Sequence, residues 1–163
     1  MTLTSTRALN LGGFAACAGM MAYALYAEHQ LLLAPCPLCV FQRVAVIALG
    51  IVFLVAALHR PGQTGRVIYA GLIGIIAATG AGIAGRHVWL QHLPAEQVPA
   101  CGPGLDYILD SFPLREALGK VFTGSGECAT VDWNFLGLSM PAWVLISVTI
   151  LGLGGIWNNL RRT

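Results

Sequence analysis

Charged side chains are scarce in this sequence. Only 10% of its 163 residues are charged and 56% are hydrophobic, whereas about 25% of residues are charged in an average soluble protein. A water-soluble domain of this length could not bury so much apolar side chain, so a lipid bilayer is the expected solvent. The length suits one domain, 1–163.

Several function classes lack their usual signals. The net charge is only +2 and the basic residues are scattered, which argues against a nucleic-acid-binding patch. The sequence contains no phosphate-binding loop, no metalloprotease helix and no dinucleotide fingerprint.

Long apolar runs are abundant. A membrane span needs about 20 mainly apolar residues, and four segments qualify: 9–26, 40–58, 67–90 and 140–157. We therefore predict an all-α membrane protein, a four-transmembrane-helix bundle. Ala22-Tyr23-Ala24 resembles a signal-peptide cleavage site, but the first run exceeds the usual apolar length of about 7–15 residues, so we expect it to be retained.

Glycines in these runs fit either close helix contacts or the general frequency of glycine in membranes; they are Gly12, Gly13, Gly19, Gly71, Gly74, Gly80, Gly82 and Gly85.

Acidic residues are absent from one end of such a bundle. All seven lie at the other end, namely Glu28, Glu96, Asp106, Asp110, Glu116, Glu127 and Asp132. Arginines mark the acid-free end, at Arg7, Arg60, Arg66, Arg161 and Arg162. Because positive charge in short loops marks the cytoplasmic face, we predict that both termini are cytoplasmic and that loops 27–39 and 91–139 lie outside.

Cysteines are absent from the predicted cytoplasmic ends. Cys36 and Cys39 fall in the first outer loop, and Cys101 and Cys128 in the second. Thiols confined to the oxidising side are typical of disulfides. The fifth cysteine, Cys17, lies midway along the first span and is interpreted as a small packing residue.

Cys36-Pro37-Leu38-Cys39 is a C-x-x-C motif next to a predicted helix start. A disulfide within this motif would close a ring too small to stabilise the fold much, whereas a helix start favours a reactive thiolate. Arg43 lies one turn deeper on the same helical face. It could stabilise the Cys39 thiolate and polarise an oxygen of a bound electron acceptor, or it could reach to the lipid headgroups.

The second loop is too long for a simple connection. A Cys101–Cys128 disulfide would close a flap that exchanges with the C-x-x-C pair, or would only stabilise the loop. Helical spacing over 113–122 predicts a short amphipathic helix at the membrane interface, with packing against the bundle as the alternative. Zinc is disfavoured because its sites combine two closely spaced ligand pairs and Cys101 is far from Cys128 in sequence; we expect no metal.

His87 ends the third span at the depth of Cys39. A histidine there could hydrogen-bond a carbonyl oxygen of the acceptor and handle protons, or serve as an interfacial anchor. Both interpretations stay open at this point.

These residues resemble the bacterial DsbB disulfide-forming family. The resemblance covers nearly the whole chain and is carried by three runs: Cys36-Pro37-Leu38-Cys39-Val40-Phe41-Gln42-Arg43, then Cys101 with Ser125-Gly126-Glu127-Cys128, then 133–143 from Trp133 to Trp143. It implies a multi-pass protein of the bacterial inner membrane with periplasmic cysteine loops. It also implies reoxidation of a periplasmic DsbA-like thiol oxidase, with ubiquinone or menaquinone as electron acceptor.

Roles follow from the resemblance by position. A partner thiolate would attack Cys101, the freed Cys128 would exchange with Cys36, and the released Cys39 thiolate would react with the quinone. Arg43 and His87 match the family's quinone-site residues, and Met140 and Trp143 would line the pocket. Gln42 departs from the family, in which an acidic residue is expected, and this change is expected to alter the charge around Arg43.

Two other interpretations are weighed beside this one. The first is a structural membrane subunit whose loops are held by disulfides, which would not require Arg43 next to the C-x-x-C motif. An enzyme like vitamin K epoxide reductase is expected to carry its loop pair before the C-x-x-C motif, the reverse of the order here.

Overall fold

The computed structural model describes residues 3–59, 61–98, 113, 126–131 and 133–161. Four α-helices dominate it: α1 Leu3–Gln30, α2 Pro37–His59, α3 Gln63–Gln91 and α4 Met140–Leu160. Each is long and apolar enough to cross a membrane. The chain is therefore a four-helix membrane bundle, as the sequence predicts.

The helices extend beyond the apolar runs that predict them. α3 begins at Gln63 and ends at Gln91, because backbone hydrogen bonding continues into the headgroup region, where polar side chains are tolerated. α2 begins at Pro37, a residue suited to the first helical position since its missing N–H needs no partner there. The non-helical part of the first outer connection is consequently 31–36, shorter than the predicted loop 27–39.

A single phenylalanine occupies the centre of the bundle. Phe53 of α2 is 2% exposed, and its ring lies against Gly13 of α1 and Gly155 of α4. A Cβ added at either glycine would come within 3.0 Å of that ring. Cys17 is buried in the same apolar cluster, which confirms its interpretation as a packing residue.

Glycine marks only some of the helix contacts. Gly74 and Gly80 face side chains of α2 or α4, as Gly13 faces Phe53. Among the described residues, nothing lies within 4 Å of a Cβ built at the other glycines that the sequence singles out, which are Gly12, Gly19, Gly71, Gly82 and Gly85. Close packing therefore explains a minority of these glycines.

Buried amides join α1 to α4 at the arginine-rich end. Asn158 and Asn159 both donate to Oδ1 of Asn10 over 3.1 Å, and all three side chains are buried. Arg66 of α3 donates to the backbone oxygen of Arg161 over 2.8 Å. These contacts satisfy polar groups that lipid could not satisfy.

Short elements cover the opposite end of the bundle. Two 3₁₀-helices, Ala95–Gln97 and Gly126–Ala129, precede a hairpin of β1 Asn134–Phe135 and β2 Leu138–Ser139. The hairpin turns through Leu136 and Gly137, both at positive φ, as a two-residue type I′ turn requires. Cys101 and all of the predicted interfacial helix 113–122 except Pro113 lie outside the described residues.

Candidate active site

The C-x-x-C motif sits at the N-terminus of α2. The Cys36 carbonyl accepts the backbone N–H of Val40 over 3.2 Å, so Cys36 is the N-cap residue and Cys39 lies in the first turn. Cys36 is buried and Cys39 is partly exposed. Their sulfur atoms lie 3.3 Å apart, compared with about 2.05 Å in a disulfide bond. The pair can therefore close into a disulfide with little movement.

His87 lies against both thiols. Its Nε2 is 3.8 Å from Cys36 Sγ and its Nδ1 is 3.9 Å from Cys39 Sγ. The imidazole comes from the outer end of α3 and is 2% exposed. Its contact with both sulfurs goes beyond the role of an interfacial anchor.

Gln42 orients the imidazole. Its buried amide donates from Nε2 to Nδ1 of His87 over 2.9 Å. Since Nδ1 accepts, the proton of the neutral ring is on Nε2, the nitrogen that faces Cys36. With the Gln42 amide in this orientation, the ring nitrogen that carries the hydrogen is the one that faces the sulfur.

Arg43 forms an ion pair with Glu28 of α1. The guanidinium group donates through Nη1 to Glu28 and through Nη2 to the backbone oxygen of Ala24 over 3.4 Å. Both side chains are partly exposed. The charged partner of Arg43 is therefore a residue of the neighbouring helix. Gln42, which was expected to alter the charge around Arg43, faces His87 instead.

Cys128 joins the C-x-x-C pair from the second outer loop. The 3₁₀-helix Gly126–Ala129 buries it completely, in a cluster with Cys36, Leu38 and Leu90. The ligand atoms of Cys36, His87 and Cys128 all lie within 4.8 Å of one another. The second loop thus places a thiol against the first.

A cavity of about 430 Å³ opens beside these groups. Its polar wall includes Cys36, Cys39, Gln42, Arg43 and His87. Its apolar wall includes Met20, Met21, Val46, Met140 and Val144. The cavity therefore combines a redox-capable sulfur pair, a cation and an apolar surface.

The comparisons with known proteins are consistent with this geometry. The family model "Disulfide bond formation protein DsbB" matches residues 6–158. The chain belongs to the DsbB family. A disulfide bond formation protein B of Nitrosococcus oceani is 57% identical over 146 residues, covering 90% of this chain and 86% of the relative. One of Methylococcus capsulatus is 52% identical over 166 residues, covering 99% of this chain and 100% of the relative. Membership in the DsbB family makes the chain a disulfide-forming oxidoreductase.

The DsbB resemblance assigns Met140 and Trp143 to the pocket wall, and the structure places only one of them there. Met140 lines the cavity, but Trp143 is not among the described residues that line it. The Trp143 indole instead donates from Nε1 to the backbone oxygen of Phe135 over 3.1 Å. This hydrogen bond directs the ring toward the hairpin.

Sequence reasoning missed the contributions of Glu28 and Trp133. Glu28 is the only acidic residue of the predicted loop 27–39, at the membrane edge where Arg43 needs a counter-charge. The sequence alone could therefore have suggested that these two residues pair. Trp133 lines the cavity and contacts Tyr23 of α1 edge to face, with the ring centroids 5.8 Å apart. No sequence pattern pointed to this contact, because it depends on how the second loop folds back.

Proposed function

We propose that this protein is a quinone-dependent thiol oxidase that reoxidises a periplasmic DsbA-like dithiol protein. Electrons pass from the partner through Cys101–Cys128 and Cys36–Cys39 to a membrane quinone. The supporting observation is the Cys36–Cys39 pair on the wall of a cavity that Arg43 also lines. Family membership supports the disulfide chemistry.

The relay begins in the second loop. A partner thiolate attacks the Cys101 Sγ, forming a mixed disulfide and releasing the Cys128 thiolate. Cys128 then attacks Cys36 of the Cys36–Cys39 disulfide, which forms Cys36–Cys128 and releases the Cys39 thiolate. The burial of Cys128 within 4.8 Å of Cys36 supports this exchange.

The partner then leaves oxidised. Its second thiol displaces Cys101, and the Cys101 thiolate attacks Cys128 to restore the loop disulfide. Cys36 and Cys39 are left reduced and hold the two electrons taken from the partner.

His87 and Arg43 act on the two sulfurs of the C-x-x-C pair. The Nε2–H of His87 points at Cys36 and stabilises negative charge on that sulfur whenever Cys36 is the leaving group. Arg43 lies one turn deeper than Cys39 in α2 and lines the same cavity, so its positive charge is placed to stabilise a thiolate on Cys39. Each sulfur of the pair thus has its own stabilising group.

The cavity fits a quinone head group. Its volume of about 430 Å³ falls in the range of roughly 300–1,000 Å³ of small-molecule sites. Arg43 offers hydrogen-bond donors for a carbonyl oxygen, His87 lines the same wall, and Met20, Met21 and Val144 offer apolar contact. A bound quinone supplies a two-electron, two-proton acceptor. Ubiquinone and menaquinone share this chemistry.

Energetics favour such an acceptor. A DsbA-type partner has a potential near −120 mV, and every 30 mV corresponds to about 1.4 kcal/mol for two electrons. Transfer from this partner into an ordinary protein disulfide would run uphill. A high-potential acceptor dissolved in the membrane makes the overall transfer favourable, which gives a physical reason for a membrane-embedded relay.

The proposed orientation follows the charge distribution. Arg66 and Arg161 lie at the end of the bundle opposite the cysteines, and cytoplasmic loops carry the excess of arginine and lysine. We place both termini in the cytoplasm, the cysteine loops in the periplasm and the bundle in the bacterial inner membrane.

The test uses purified protein in detergent with a reduced DsbA-like protein and ubiquinone-1 or a menaquinone analogue. Loss of quinone absorbance is expected with wild type and with the control Cys17→Ala, but not with Cys39→Ser or Cys101→Ser. A folded protein that reduces neither quinone would refute the quinone assignment. A non-catalytic membrane subunit with structural loop disulfides would then be the better explanation.

A further inference from the structure

Three soft metal-binding donors converge at the cysteine-bearing end of the bundle, and a fourth lies beside them. The ligand atoms of Cys36, Cys128 and His87 lie within 4.8 Å of one another, and all three residues are buried. The Cys39 Sγ lies 3.3 Å from Cys36 Sγ and 3.9 Å from Nδ1 of His87. Three thiols and one imidazole are one of the common donor sets of tetrahedral zinc sites.

The distances around Cys36 approach tetrahedral zinc coordination, whereas the Cys39 sulfur faces Nδ1 of His87 and would have to turn toward the metal to complete it. A tetrahedral zinc ion with Zn–S bonds of about 2.3 Å and a Zn–N bond of about 2.0 Å separates its ligand atoms by about 3.5–3.8 Å. Cys36 Sγ lies 3.3 Å from Cys39 Sγ and 3.8 Å from Nε2 of His87. We propose that the fully reduced chain binds one thiophilic divalent cation, represented by Zn²⁺, through Cys36, Cys39, Cys128 and His87.

The surroundings of His87 suit a metal ligand. Its Nε2 faces Cys36, and its Nδ1 is in contact with the Gln42 amide at 2.9 Å. When Nε2 binds a metal, Nδ1 carries the proton, and the amide turned over by 180° presents its oxygen to that N–H. Metal-bound histidines usually donate their second N–H to an oxygen in this way. Gln42 can therefore hydrogen-bond both the metal-free and the metal-bound histidine, and it adds no charge in either case.

This site differs from the four-cysteine site that the sequence argues against. There the fourth ligand would be Cys101, in a distant part of the loop. Here His87 of α3 replaces it, and only the fold brings α3 beside the two cysteine loops. Thiolate and imidazole donors select zinc-like cations over calcium or magnesium, which prefer oxygen ligands.

The site exists only in the reduced protein. Each disulfide removes two thiolate ligands, and metal binding by three thiols releases their protons. Bound metal therefore blocks both Cys36–Cys39 closure and Cys128 exchange. Inhibition of the relay by zinc rests on the proposed function, but metal binding itself does not.

The experiment titrates Co²⁺, then Zn²⁺, into full-length protein in detergent after anaerobic reduction and removal of the reductant. We expect one cobalt ion per chain with the visible absorption of a tetrahedral thiolate site, and its displacement by zinc. Protein oxidised with diamide is expected to bind none. The control Cys17→Ala, whose thiol is buried in the apolar core, should bind like wild type.

Ligand variants decide between this site and its alternatives. His87→Gln and Cys128→Ser should lose the tetrahedral spectrum, whereas Cys101→Ser should keep it. Unchanged binding in His87→Gln would indicate a simple dithiol chelate of Cys36 and Cys39 and overturn the proposal, as would loss of binding in Cys101→Ser. Absence of binding to folded, reduced wild type would also overturn it. Circular dichroism checks folding, and if Cys128→Ser does not fold, His87→Gln decides alone.

Discussion

The Gln42 amide donates a 2.9 Å hydrogen bond to Nδ1 of His87, so the other ring nitrogen faces Cys36 with its hydrogen. A neutral amide at this position keeps charge away from the imidazole while fixing its orientation. The two residues come from different helices, α2 and α3, and the bond exists only because the bundle brings these helices together.

We expect Gln42→Leu to slow oxidation of the DsbA-like partner. Loss of one such hydrogen bond costs about 1 kcal/mol, which corresponds to a rate about fivefold lower. The measurement is kcat with saturating quinone, with Gln63→Leu, exposed at the opposite end of α3, as the control. A rate unchanged in Gln42→Leu would show that the histidine needs no such partner.

The ion pair between Glu28 and Arg43 should affect the quinone rather than the partner. Glu28→Gln removes the carboxylate that holds the guanidinium group, and a misoriented arginine loses about 1 kcal/mol of quinone binding. We expect the KM for quinone to rise about fivefold and stability to change little, since solvent screens such partly exposed ion pairs. Glu96→Gln, an exposed acidic residue in the second loop, should have no effect. An unchanged or lower KM in Glu28→Gln would contradict the orienting role.

Helix packing predicts opposite outcomes for two glycines of α4. A Cβ added at Gly152 would lie 2.5 Å from the Cβ of Ala77, whereas nothing among the described residues lies within 4 Å of one added at Gly154. Gly152→Ala should lower the free energy of unfolding by about 1–3 kcal/mol through overpacking. Gly154→Ala should be neutral or slightly stabilising, because alanine favours helix. Unfolding in detergent, followed by circular dichroism, compares them; equal stabilities would contradict the α3–α4 packing described.

The buried amides of the arginine-rich end should contribute to stability without contributing to activity. Asn10→Leu removes the acceptor shared by Asn158 and Asn159. Interhelical hydrogen bonds in membranes contribute about 0.6 kcal/mol each on average, so we expect a loss of about 1 kcal/mol in unfolding free energy. Asn134→Leu, exposed in the hairpin, is the control. A loss of quinone reduction in folded Asn10→Leu would indicate a coupling between the two ends that the structure gives no reason to expect.

The sequence predicts the architecture well because the bilayer sets a length requirement. Each apolar run marks one helix, and only the ends differ, as where α3 begins at Gln63 rather than 67. Those ends lie among headgroups, where hydropathy no longer distinguishes helix from loop. The C-x-x-C pair and Arg43 were also recognisable, since their relationship is local to one helix turn.

The partners of these residues were not predictable in the same way. The four runs are apolar around their whole circumference, so no periodicity shows which face of α1 meets α2. The pairing of Glu28 with Arg43 and of Gln42 with His87 depends on that rotation. The position of Trp143 likewise depends on the hairpin, whose Phe135 carbonyl accepts its indole N–H.

The most direct test of the electron path is an anaerobic single turnover in detergent, with reduced DsbA-like partner in excess over a limiting amount of ubiquinone-1 or a menaquinone analogue. Partner thiols are counted by mass after alkylation, and quinol is measured by absorbance. After subtraction of the partner thiols that the protein's own disulfides oxidise in the absence of quinone, we expect two partner thiols lost for each quinol formed in wild type, and no quinol in Cys39→Ser. Partner thiol loss without quinol formation by either quinone, or quinol formation that persists in Cys39→Ser, would contradict the proposed path from Cys128 through Cys36 and Cys39 to the quinone.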